Sequence, residues 1–267
     1  MKRSTGARMG ATVAVSVLSL ALITGCSDEG SDDSKDSANS GSSSSSSSSP
    51  TAAAKAYNAA ELEKLLLAEG EIEGYKVTSG DDTLPKSKSV LKNIDKAECE
   101  PVAYAMAALP PGDTDATASN TVTEAPPTDD PSKSLDELAE GDFAEAFNLT
   151  ATYVGLSSYE GDGAEKAFKA VSDGVKACSG GFGFTADGTN TKITKITSEK
   201  ASGAGDESVA FAVDSGADGE SGTFHTEVVR HGSTIATYYS VNFALMSSGK
   251  PYDVPAAVID AQAAKVK

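Results

Sequence analysis

Two histidines, His225 and His231, and three cysteines, Cys26, Cys99 and Cys178, are the residues here best suited to metal, thiol or imidazole chemistry. The histidines stand six apart, His225 in a stretch of strand character and His231 beside Gly232, where a turn is expected. A helical metal pair stands four apart, so this spacing makes a poor ligand set, and no metal or other cofactor is expected. A Ser/His/Asp hydrolase needs its serine on a G-x-S-x-G elbow. Gly155-Leu156-Ser157-Ser158-Tyr159 lacks the second glycine, and a hydrolase would otherwise need His225, His231 or an acidic pair such as Glu145 and Asp162, for which the sequence gives no geometric support. The acidic, glycine-rich run Asp214–Glu220 offers oxygens to calcium but departs from EF-hand spacing, and reads as a solvated hairpin loop. Ser248-Gly249-Lys250 lacks the upstream glycine of a phosphate loop. No catalytic residue is assigned, and the chain is expected not to be an enzyme.

Cys26 belongs to different chemistry. Lys2, Arg3 and Arg8 precede a mostly apolar run, Met9 to Ile23, which leads into Thr24-Gly25-Cys26. Charge, apolar stretch and small residue in that order are the layout of a secretory signal. The run is shorter than the roughly 20 residues of a spanning helix. Ile23-Thr24-Gly25-Cys26 resembles a lipobox, the cleavage motif of bacterial lipoprotein precursors. That resemblance implies diacylglycerol on the Cys26 thiol, cleavage just before it, and a chain held on the outer face of the cell membrane. Two acyl chains give stable attachment where one binds reversibly.

Of 22 basic residues, three lie ahead of Cys26, which leaves 19 against 39 acidic ones, a net charge of −20. Such a surface repels nucleic acid and anionic headgroups. Residues 27–50 carry Asp32, Asp33, Asp36 and an unbroken serine run, Ser42 to Ser49, with no aromatic residue. They read as a disordered tether. The expected division is therefore 1–25 signal, 26–50 lipidated cysteine and tether, and 51–267 an extracytoplasmic domain. Outside the membrane, Cys99 and Cys178 read as a disulfide closing a loop of about 80 residues, in preference to two buried free thiols.

In the domain, Leu62, Leu65 and Leu66 set a helix over 51–70, stopped by Gly70, before an extended stretch around Val77. A second helix is expected from Lys96 to Leu109, ended by Pro110-Pro111-Gly112. Residues 111–135 read as a long surface loop with a short strand at Thr121–Glu124. Phe143, Phe147, Leu149, Ala151 and Tyr153 mark a strand. Ala164, Phe168, Val171, Val175 and Cys178 recur at steps of four and three, one helical stripe. Strands follow at Thr191–Ile196, Val209–Val213 and Phe224–Val229. A tight hairpin is expected at His231-Gly232, a final strand runs to Phe243, and a helix spans Val254 to Val266, with Pro255 in its first turn. Tyr153, Tyr159, Phe168, Tyr238, Tyr239 and Phe243 should mostly be core. The fold class is α+β, an antiparallel sheet backed by helices.

The run Glu71-Ile72-Glu73-Gly74-Tyr75, the helix start Glu98-Cys99-Glu100-Pro101, the Ala164–Cys178 helix with its terminal cysteine and the Val228-Val229-Arg230-His231-Gly232 hairpin resemble, in this order, the PknH-like extracellular sensor-domain family of actinobacterial kinases and lipoproteins. The resemblance runs through most of 57–267. It implies an antiparallel sheet backed by helices, a cleft for an envelope ligand, and no enzymatic activity. The sequence departs from the pattern in lacking tryptophan, in having one possible bridge in the domain, and in lacking a kinase domain, so signalling would need a partner. The expected function is a non-enzymatic, ligand-binding or sensor-like lipoprotein of the envelope, taking a small molecule or lipid. The alternative is an adaptor docking on a membrane-protein partner, and an envelope hydrolase is least favoured.

Overall fold

The computed structural model describes residues 56–80, 84–125, 148–217, 220–246 and 250–266. The expected signal, Cys26, the expected tether, Phe143, Glu145, Phe147 and Ser248-Gly249 lie outside them.

Nine strands form one antiparallel sheet: β1 (Tyr75–Ser79), β2 (Leu91–Lys92), β3 (Thr117–Glu124), β4 (Thr150–Ser158), β5 (Phe182–Ala186), β6 (Thr189–Glu199), β7 (Glu207–Ala217), β8 (Glu220–His231) and β9 (Thr234–Asn242), in the order β1-β3-β4-β9-β8-β7-β6-β5-β2. Period-two alternation sorts the side chains. Phe211, Val213, Val228 and Ile235 point to one face, Val154, Val229, Ala236 and Tyr238 to the other. Helices cover both faces, which confirms the α+β class.

On the first face lie α2 (Glu100–Ala105) and α3 (Gly163–Ala177), tied by a Cys99–Cys178 disulfide with the Cα atoms 5.9 Å apart. The expected bridge is present. The α3 stripe Ala164, Phe168, Val171 and Val175 packs on Ile193, Ile196, Phe211 and Val228. The second helix is shorter than the 96–109 expected. Ala97–Cys99 is a 3-10 turn, and Ala108 takes a left-handed φ of 52°. A Cβ on Gly155 of β4 would stand 2.2 Å from the Ala108 carbonyl oxygen, so glycine there allows the chain after α2 to lie directly on the sheet.

On the second face lie α1 (Ala59–Leu65) and α4 (Ala256–Lys265). Asn58 and Glu61 form a capping box that starts α1. The helix expected through Gly70 stops at Leu65, because the next backbone groups are held by side chains from elsewhere. Gln262, fully buried, accepts from Leu67 N (3.1 Å) and donates to Leu65 O (2.6 Å). Asn120 donates to Leu67 O at 2.7 Å.

Other expectations shift. β3 is eight residues long, where a strand over 121–124 was expected. β7 runs through Asp214 to Ala217, so that part of the acidic loop is paired strand. His231 closes β8 opposite Thr234, leaving Gly232-Ser233 as the turn, with Gly232 at φ 57°. Phe243, beyond the end of β9, is 59% exposed instead of core. Pro255 is the N-cap of α4 and precedes its first turn.

Candidate functional site

At the edge of the sheet, where β1 ends and β3 begins, five segments line an open cleft of about 910 Å³. Glu63 of α1 and Leu66 just after it, Ser79 at the end of β1, and Thr117 and Ser119 at the start of β3 line it. Lys86, Lys88 and the stretch from Ala108 to Asp115 complete the walls. Lys88 is fixed on three sides: Nζ donates to Gly112 O (2.8 Å), pairs with Asp113 (3.3 Å) and sits 4.6 Å from the centre of the Tyr104 ring. Burial, followed by the nearby charges of Glu100 and Asp113, pushes the Tyr104 phenol above its ordinary range.

The wall at 112–114 is pinned from behind. Tyr159 Oη accepts from Gly112 N and bonds to Ser157 Oγ, both at 3.1 Å, and Thr114 donates to Ser158 O at 2.6 Å. Burial drives the Tyr159 phenol upward, keeping it neutral. A shallower hollow of about 580 Å³, lined by Tyr57, Glu61 and Tyr159, adjoins the cleft across Asp113 and Thr114. Hydroxyls, two lysines and the carboxylates of Glu63, Asp113 and Asp115 share the cleft's lining with Leu66, Pro85, Leu109, Pro110 and Ala118.

The histidines stand elsewhere, both on the α1/α4 face of β8. Six residues of strand put about 20 Å between them. His225 is 6% exposed, with Nδ1 3.0 Å from Glu199 Oε2 on β6. The edge-on Tyr252 ring lies 4.4 Å from its imidazole, and Tyr252 Oη donates to Thr223 O at 2.6 Å. Burial raises the Tyr252 phenol to about 12. Between the histidines, buried Glu227 accepts from Ser202 N (2.9 Å) and from Ser202 Oγ. His231 Nε2 is buried without a hydrogen-bond partner among the described residues, and desolvation depresses the pKa of its ring.

Among the described residues, the remaining hydrolase candidates are held in other contacts. Asp162 is exposed at the start of α3, where Lys166 (2.8 Å) holds its carboxyl below the usual range. Ser157 bonds to Tyr159, while Ser158 Oγ accepts from Tyr57 N at 2.9 Å. Cys99 and Cys178 are spent in the disulfide. Glu199, Lys88 and Asp113 were not singled out from the sequence. Each reaches its partner through strand order or a loop contact, which leaves no short-range signal.

No described helix is long and apolar enough to cross a membrane. Scanned against protein-family models and curated protein sequences, the chain gives no match. Among solved structures, the extracellular domain of PknH from Mycobacterium tuberculosis aligns over 79% of this chain and 95% of that one, with a TM-score of 0.44 and 11% identity. A likeness at that level carries no argument about the site.

Proposed function

We propose that the protein is a lipid-anchored, extracytoplasmic binding protein, non-enzymatic and sensor-like, whose domain takes a polar solute of the cell envelope into the cleft between α1, β3 and the 108–115 stretch. The cleft carries this reading. Its size lies in the range of small-molecule sites, and its pinned walls are largely pre-formed. The lining, with Ser79, Thr117 and Ser119 beside lysines and carboxylates, favours a sugar- or peptide-bearing wall fragment over a lipid. The signal layout and lipobox support the location, and the acidic balance weighs against nucleic acid as a partner.

Thermal-shift measurement on the full-length chain in detergent, with cell-wall disaccharide peptides, free sugars and phospholipids as probes, tests the cleft. A wall fragment should raise the melting temperature, and Ser119→Trp, which fills the cleft, should abolish the rise. No shift with any probe, or a shift undiminished in the filled variant, contradicts the reading. Mass spectrometry of the native N-terminal peptide tests the anchor: diacylglyceryl-Cys26 is expected, and a chain beginning at Met1 overturns it.

A further inference from the structure

Glu199, His225 and Asp253 come from three separate places: β6, β8 and the strap that crosses to α4. A ring nitrogen of His225 and one carboxylate oxygen from each of the other two lie within 4.8 Å of one another. We propose that these three side chains bind a divalent transition-metal ion of the zinc type. The donor set decides the class. Imidazole favours zinc, nickel or copper, while magnesium and calcium prefer oxygen alone.

Geometry supports the assignment. Zinc with ligand atoms about 2.0–2.2 Å away keeps neighbouring ligand atoms roughly 3.3–3.6 Å apart. His225 Nδ1 and Glu199 Oε2 are hydrogen-bonded at 3.0 Å, so an ion between them displaces the shared proton and opens the pair by about 0.3–0.6 Å. Asp253 is exposed, so closing the third arm takes a movement on the order of 1 Å. The histidine is oriented in advance, buried on a central strand with the Tyr252 ring against it, and Tyr252 is itself anchored to Thr223 O. Packing against the anchored Tyr252 ring limits how far the imidazole can turn. If Nδ1 is the ligand atom, the neutral ring carries its proton on Nε2. Three protein ligands leave one position for water, and the ion ties the strap to the sheet. The inference is independent of the cleft, which is lined by none of these residues.

Zn²⁺ titration of the chelator-stripped, full-length chain, in detergent and with the Cys26 thiol alkylated, tests it. One Zn²⁺ per chain is expected, with a raised melting temperature and no competition from Mg²⁺. Co²⁺ should give a visible ligand-field spectrum. Asp253→Asn and His225→Asn should each weaken binding at least tenfold. If His225→Asn does not fold, the exposed Asp253 variant carries the test alone. No stoichiometric binding by the unaltered chain, or unchanged affinity in the Asp253 variant, overturns the proposal.

Discussion

The two faces of the sheet are held by different means. On the α2/α3 face, an apolar cluster around Phe211, Val171 and Phe168 is closed by a covalent bridge. On the α1/α4 face, an apolar cluster around Leu62, Val229 and Tyr238 is joined by polar latches: Gln262 to Leu65 and Leu67, Asn120 to Leu67, Glu69 to Val77 N, and Lys265 to Glu71. Both histidines, the buried Glu227 and the α1 wall of the cleft belong to the latched side. Both faces reach the cleft, the latched one through α1 and the stapled one through the 112–114 wall that Tyr159 pins. Buried polar networks hold well when complete and cost stability when one member is lost.

The largest test of this contrast is the staple. Replacing Cys99 and Cys178 by serine frees a loop with a sequence separation of 79, and should cost about 4.5 kcal/mol by loop-closure entropy. Urea unfolding of the variant, and of the unaltered chain with and without reductant, reads that loss directly. A cost below about 1 kcal/mol makes the staple incidental, since even the smallest loop closures should exceed it.

The latch comes next. Gln262→Leu keeps the volume but leaves Leu67 N and Leu65 O without their side-chain partner. Unpaired buried groups cost about 1–3 kcal/mol, so a loss of about 2 kcal/mol is expected. Hydrogen exchange should quicken at 65–67 and stay unchanged in α3. Equal quickening on both faces would show that the two layers are not independently held.

The smallest effect concerns pH. Burial depresses His231 below 6.5, so on acidification the unfolded chain takes a proton before the folded one does. The stabilisation is complete above 6.5 and is lost as pH falls from there through the folded-state pKa. His231→Gln should flatten the decline in urea midpoint between pH 7 and 5. Glu71, held low by Lys265, acts in a separate window, with its contribution fading only below its ordinary 4.5. An unchanged slope in the His231 variant would assign the decline to other groups.

The elements that alternate strongly were legible. The α3 stripe, the cysteine at its end and the β8–β9 hairpin stand within a residue or two of expectation. Thr117–Asn120 carries little apolar pattern, so the first half of β3 has the sequence character of a loop. The alanine-rich stretch to Leu109 reads as helix, but contact with Gly155 bends it away. The two-residue β2 is too short to show a period, and β5 alternates at Phe182, Phe184 and Ala186 over only five residues with Gly183 among them. The cleft draws on five segments, and Glu199 reaches His225 only because β6 lies one strand beyond β7. Such contacts follow from strand order, which residue spacing does not encode.

Hydrogen–deuterium exchange of the full-length chain, with and without a cell-wall disaccharide peptide, addresses binding at the cleft most directly. Slower exchange confined to 79–80, 86–88 and 108–119, with 164–175 unaffected, is the result this account predicts. Protection centred on α3, or none at any concentration that saturates the probe's solubility, would contradict it.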